Sequence, residues 1–263
     1  MESQSLQPDC SSLVTGSSVD RGQCEQPDIH SSSPEYAARF SGPIGKWIIE
    51  CQNRAVLEML NGLPVKTILD VGGGHAQISP QLAENGYEVT ILGSAPECAN
   101  LLRKQPNGER CRFEVGELTS PPFPDRSFDA VICLRQLSHL THWEKLVAEA
   151  ARVSRTVVIL DYPTKISFNL LYVMLFPLKK WFEGNTRTFS IFSDSQIAHA
   201  FEQQGLRPYK REPQFLLPIV FHRFLRKLGV SATLEWAFRK IGLTAFFGSP
   251  VIVSFLQGNG QIL

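Results

Sequence analysis

Apolar positions across residues 36–60 recur at helical spacing, with Ile44, Ile48, Cys51, Ala55 and Met59 on one face, which predicts helices broken at Gly42-Pro43. The period then changes. Residues 67–71 are a short apolar run closed by Gly72-Gly73-Gly74, and a helical pattern follows through Ile78, Leu82 and Ala83 to Gly86. The alternation repeats as 87–92 followed by 96–103, as 111–115 with a Pro-rich connection, and as 128–134 followed by 143–153. Residues 156–160 make a fifth strand. Ser193-Asp194-Ser195 opens an amphipathic helix over 197–204 that Gly205 stops, and 251–256 reads as a final strand. Strands alternating with helices predict an α/β fold, a doubly wound parallel sheet that binds ligands at the carboxyl ends of its strands.

Three stretches fall outside this rhythm. Residues 1–33 are rich in Ser, Gln, Asp and Pro and hold no aromatic residue, so they are expected to be a disordered tail before a domain spanning 34–263 that opens with helices over 34–64. Residues 166–182 and 215–228 are apolar beyond what a sheet needs and end in Lys179-Lys180 and in Arg223, Arg226 and Lys227. They predict helical cap insertions over 163–192 and 213–246, which either pack on the sheet or rest on an anionic membrane surface.

Composition narrows the function. The 263 residues carry 26 Lys+Arg against 25 Asp+Glu, a net charge of +1 that leaves no global field to attract nucleic acid. The six cysteines are scattered, without Cys-x-x-Cys pairs or Cys/His clusters at ligand spacing, so no metal site and a reducing, cytoplasmic compartment are expected. No run of ~18 uninterrupted apolar residues suggests a spanning helix.

The glycine turn carries the candidate chemistry. In Asp70-Val71-Gly72-Gly73-Gly74-His75-Ala76 a strand must turn into a helix while its backbone is left bare for a ligand. A nicotinamide-dinucleotide site is disfavoured, because the third glycine of its motif falls at Gln77 and no acid stands ~20 residues on. A P-loop is excluded by the lack of Gly-Lys-Ser/Thr.

Ile68, Leu69, Asp70, Gly72, Gly74 and Ala76, followed by Gly116-Glu117 and Pro122-Phe123-Pro124-Asp125-Arg126-Ser127-Phe128-Asp129, resemble the two signatures of the class I S-adenosylmethionine-dependent methyltransferases, in the small-molecule branch of ubiquinone/menaquinone biosynthesis. The resemblance implies a mostly parallel seven-stranded sheet and S-adenosylmethionine as cofactor. It assigns Asp70, Gly72 and Gly74 to the amino-acid end of the cofactor, Glu117 to the adenine amino group with Leu118 beside the ring, and Leu134 to the site wall. One position departs from the family. The acid that ends the second strand and holds the ribose hydroxyls is here Gly93, with Ser94 or Glu97 as the nearby polar substitutes.

Methyl transfer depends mainly on alignment, so no triad is expected, but an acidic acceptor needs a base. His139 lies after the fourth strand where relatives often carry histidine, and its alternative role is a helix-entry residue. Tyr162, after the fifth strand, either meets an aromatic acceptor or packs against the cap. Arg135 either orients an acidic substrate group or pairs with a nearby carboxylate, and pairing is favoured. The apolar segments favour a quinone-like, lipid or aromatic acceptor over nucleic acid, which is also disfavoured because residues 134–137 lack an Asn/Asp-Pro-Pro-aromatic motif. The competing reading is a methyltransferase-like binding module whose cofactor site has decayed at Gly93.

Overall fold

The computed structural model describes residues 26–167 and 189–258. Seven strands form one sheet: β1 (Thr67–Val71), β2 (Glu88–Gly93), β3 (Arg112–Val115), β4 (Phe128–Cys133), β5 (Ser154–Tyr162), β6 (Leu206–Phe215) and β7 (Ser249–Gln257). Their order is β3-β2-β1-β4-β5-β7-β6, with β7 antiparallel to both neighbours and the other pairs parallel. Successive residues of a strand point to opposite faces, and both faces are covered. Leu69, Val71, Val131, Val158 and Leu160 pack with the helices Trp143–Val153 and Asp194–Glu202 on one side. Ile68, Ile91, Ile132 and Ile159 pack with Val56, Met59, Leu60 and Leu82 on the other, from the helices α3 (Gly42–Leu60) and α4 (Ser79–Glu84). Among the described residues no helix is long and apolar enough to cross a membrane.

Most elements stand where the sequence pattern places them. The helix Trp143–Val153 has the expected bounds, and Ser193 caps Asp194–Glu202 with its side chain accepting from the Gln196 N–H in a capping box. Gly42, at φ +73°, separates α2 (Pro34–Ala38) from α3. Three differences have physical causes. Residues 96–103, expected as one helix, fall in two 3-10 turns, Pro96–Asn100 and Leu102–Lys104. Strand β6 was not legible because Pro208, Pro213 and four charged residues break its alternation. That composition suits a sheet edge, where N–H groups need no partner and charges discourage pairing with another chain. Residues 26–33, placed by composition in the tail, instead include a helix α1 (Pro27–Ser31) in which Asp28 and Ser31 are buried.

The remainder of the expected tail, 1–25, and residues 168–188 of the first cap segment, 163–192, lie outside the described residues. The second cap segment begins with strand β6 and continues as three helices, Ile219–Leu225, Leu228–Lys240 and Leu243–Phe247. The buried Glu235 carboxylate holds them to the sheet: it accepts from the Leu216 N–H at 2.8 Å and the Leu217 N–H at 2.9 Å, with His222 Nε2 at 3.0 Å.

The second sequence signature proves largely structural. Asp129 Oδ2 accepts from the N–H groups of Lys66 and Thr67 at 3.0 and 2.9 Å and from the Thr67 hydroxyl, while Arg155 meets Oδ1 at 3.0 Å. Arg152 clamps the preceding loop through the carbonyls of Pro121 and Phe123 and the carboxylates of Asp125 and Glu149. Burial alone would raise the pKa of Asp129, but these hydrogen bonds hold it below its ordinary value. An acid with a depressed folded pKa contributes stability above its unfolded pKa of ~4 and loses it as pH falls through the folded value. Asp129→Ala should therefore lower urea stability by about 1.5–3 kcal/mol at pH 7. The gap from the parent should shrink below pH ~4; a gap independent of pH would contradict this role.

Candidate active site

The carboxyl ends of β1, β2, β4 and β5 converge on the glycine turn. Gly72 has φ +74°, a conformation that favours glycine, and its N–H donates to the Leu92 carbonyl at 2.8 Å. Residues Gly73–His75 form a 3-10 turn that ends in Ala76, which also has positive φ. The bare backbone is needed for packing at all three glycines. A Cβ on Gly72 would overlap the Gln136 amide, one on Gly73 would enter the Asp70 carboxylate, and one on Gly74 would lie 2.6 Å from both the Cys98 carbonyl oxygen and Ser32 Oγ.

A half-buried cation occupies the mouth of the turn. Arg135 follows β4 at φ +62°, and its guanidinium donates to the side-chain oxygens of Gln77 and Gln52 and lies over the Phe40 ring at 4.3 Å. The carboxylate that sequence reasoning sought for its side chain meets its backbone instead: Asp161 Oδ1 accepts from the Arg135 N–H at 2.6 Å. Asp70 is buried and accepts a hydrogen bond from Ser79 Oγ. Burial pushes the carboxyls of Asp70 and Asp161 up to about 6, against the opposing pull of their hydrogen bonds and of Arg135. Burial, with the Arg135 charge second, pushes His75 down to about 3, so its imidazole is neutral.

The expected site residues divide into groups. Asp70, Gly72 and Gly74 come together as the turn predicts. Leu118 and Leu134 are each 1% exposed and belong to the core beneath it. Glu117 is exposed, and its Oε1 accepts from Thr119 Oγ1 at 2.7 Å. Gly93 has no room for an acidic side chain, because a Cβ there would stand 2.5 Å from Cζ of the Phe113 ring. Its carbonyl accepts from the Gly116 N–H. Ser94 binds Asp28, with the backbone N–H at 2.7 Å and Oγ at 2.5 Å from the two carboxylate oxygens, whereas Glu97 is exposed. The Cys98 thiol is pushed up to about 11 by burial and by the Asp28 charge beside it.

His139 ends the 3-10 turn Leu137–His139, and its N–H donates to the Gln136 carbonyl. Gln136 Nε2 in turn donates to the Gly72 carbonyl at 3.0 Å, which fixes this turn to the glycine turn. Tyr162 is 1% exposed; its hydroxyl donates to Asp194 at 2.8 Å, and Asp194 also pairs with Arg211 at 2.7 Å. That network ties β5 and β6 to the helix after the cap, and burial first, then Asp194, raises the phenol pKa strongly. The Tyr162 hydroxyl is thus engaged by Asp194.

Sequence reasoning missed Asp28, Gln52, Gln77, Gln136 and Asp161, since each is an ordinary polar residue until the fold gathers it. Among the described residues the buried Nε2 of His75 and Oε1 of Gln136 have no hydrogen-bond partner. Unmet polar atoms around a bare glycine backbone fit a polar ligand such as the amino-acid end of S-adenosylmethionine.

A doubly wound sheet with its glycine turn after β1 is a Rossmann-like fold. Residues 68–156 match the methyltransferase domain family. Demethylmenaquinone methyltransferase of Deinococcus radiodurans is 27% identical over 201 residues, covering 70% of this chain and 81% of the relative. The Tropheryma whipplei enzyme of the same name is 33% identical over 106 residues, with 38% and 42% covered. Among solved structures, magnesium protoporphyrin IX methyltransferase from Synechocystis with bound SAH superposes with a TM-score of 0.59 at 13% identity, covering 88% of this chain and 97% of that one. A [4+2]-cyclase superposes with a TM-score of 0.54 at 16% identity, covering 79% and 81%. These likenesses, a methyltransferase domain over residues 68–156 and a methyltransferase fold over most of the chain, support a class I S-adenosylmethionine-dependent methyltransferase.

Two outcomes follow from this geometry. Gly72→Val should abolish S-adenosylhomocysteine binding in calorimetry while far-UV circular dichroism stays native; retained affinity in a folded variant would sink the assignment of the turn. For Asp161, a folded pKa raised to about 6 means that the native state holds a proton which the unfolded chain has released. Stability should therefore fall as pH rises from ~4 to ~6, and Asp161→Asn should flatten that slope in urea titrations; an unaltered slope would contradict the assignment.

Proposed function

We propose that the protein transfers a methyl group from S-adenosylmethionine to a small apolar acceptor, quinone-like, lipid or aromatic. The observation that carries this reading is the surface of the second cap segment. Among the described residues, nine of the twelve exposed large hydrophobic residues fall between Val220 and Phe247, including Phe224, Trp236, Ile241 and Phe246. This surface adjoins the cleft: Phe40, whose ring lies over Arg135, packs with Ile219 and Phe215, and Trp47 meets Phe215 and His222 edge-on. Apolar surface reaching the acceptor side suits a lipophilic substrate. The naming of several relatives as demethylmenaquinone methyltransferases agrees with it. Arg223, Arg226, Lys227, Arg239 and Lys240 share these helices, so the cap can rest on an anionic bilayer and take its substrate from there.

The bound cofactor supplies an electrophilic methyl group. The chain's own residues hold and orient. Asp70 and the 72–74 backbone face the amino-acid end, and Glu117 faces the adenine. Phe40 and the cap exclude water from the acceptor. His139, at the rim that Gln136 fixes to the turn, takes the proton of an acceptor hydroxyl or acidic ring carbon.

Labelled methyl transfer from S-adenosylmethionine to a reduced short-chain naphthoquinone tests the reading, with lipid extract as a second acceptor. Transfer to either is expected; cofactor binding without transfer would favour the binding-module alternative. His139→Ala should lower turnover about a hundredfold or more with S-adenosylhomocysteine affinity within about twofold. Tyr162→Phe should leave turnover intact and cost about 1 kcal/mol of stability. The reverse pattern would exchange their roles.

A further inference from the structure

The family's ribose-binding acid has no counterpart at the end of β2, and Phe113 fills the space where one would project from Gly93. A carboxylate nevertheless stands at that strand end. It is Asp28, brought in from 65 positions before Gly93 by helix α1. Its two oxygens take one donor each, the N–H and the Oγ–H of Ser94, at 2.7 and 2.5 Å. Asp28 is fully buried, and among the described residues it forms no ion pair with Lys or Arg.

Besides Ser94 the carboxylate has the Cys98 thiol, a weak donor, beside it, and with no cation to neutralise it among the described residues it retains capacity for a further hydrogen bond, since each oxygen can accept two. Vicinal hydroxyls offer the matching pair of donors. Helix α1 is also fixed to the glycine turn, since Ser32 just beyond it lies where a Cβ on Gly74 would fall. Asp28 and the turn therefore pack side by side, and a ribose diol bound there would take over the places of the Ser94 donors.

We infer that Asp28 is the ribose-binding carboxylate of this protein, supplied by the N-terminal segment in place of the acid missing from β2. The inference rests on the cofactor assignment of the proposed function. It makes residues 26–33 part of the cofactor site and explains how Gly93 is compatible with cofactor binding. It also sets a direction of effect that separates it from a blocking role: a ribose ligand lost by mutation weakens the cofactor, whereas a plug removed tightens it.

Calorimetry of the full chain with S-adenosylhomocysteine and its 2′-deoxy analogue tests this. The parent should bind S-adenosylhomocysteine and disfavour the deoxy form by about tenfold. Asp28→Ala and the near-isosteric Asp28→Asn should each weaken S-adenosylhomocysteine by about ten- to a hundredfold. Both should bind the deoxy form as well as the ribose form, and thermal melts should show both variants folded. Unchanged affinity, or preserved discrimination in a folded variant, overturns the inference. Tighter binding overturns it in favour of a plug. If the parent itself binds no S-adenosylhomocysteine, the methyltransferase reading fails first and this one with it, so the two failures are told apart by the parent's titration.

Discussion

The carboxyl edge of the sheet is organised around the half-buried guanidinium of Arg135. A cation withdrawn from water needs acceptors and a fixed geometry, and it draws them here from three separate parts of the chain: Gln52 on α3, Gln77 after the glycine turn, and the Phe40 ring before α3. Its backbone N–H fixes Asp161 at the end of β5. One residue thus registers the N-terminal helices, the glycine turn and two strand ends against one another. The charge of this cation also acts, without a direct ion pair, on two buried acids, Asp70 and Asp161, and opposes the rise in their pKa that burial causes.

The order of elements was legible because local signals agreed with the fold. The run from Thr67 to Val71 ends in glycine, the Trp143–Val153 helix is amphipathic, and Ser193 with Gln196 spells a capping box. Strand β6 was not legible, since an edge strand tolerates the prolines and charges that normally argue against a strand. Helix α1 was hidden for another reason. A five-residue helix among serines has no periodicity to read, and it is ordered by tertiary burial of Asp28 and Ser31 rather than by its own propensity.

The site was legible only where chemistry resides in backbone shape. Gly72 and Gly74 announce themselves because a tight turn under a neighbour's carbonyl permits little else. Side chains that act through long-range placement do not. Gln136 serves the Gly72 carbonyl from 64 positions away, and Asp28 reaches Ser94 across 66. The vacancy at Gly93 was visible in the sequence, but what stands near it was visible only in the fold.

In the proposed reading the glycine turn and the N-terminal segment together hold the cofactor, and the apolar cap covers the acceptor. Hydrogen–deuterium exchange with and without S-adenosylhomocysteine tests that union most directly. The account expects added protection in residues 70–77, 93–98 and 26–33 together, with the strands β6 and β7 unchanged. Protection of the glycine turn with faster exchange in 26–33, or no protection at the turn at all, would contradict it.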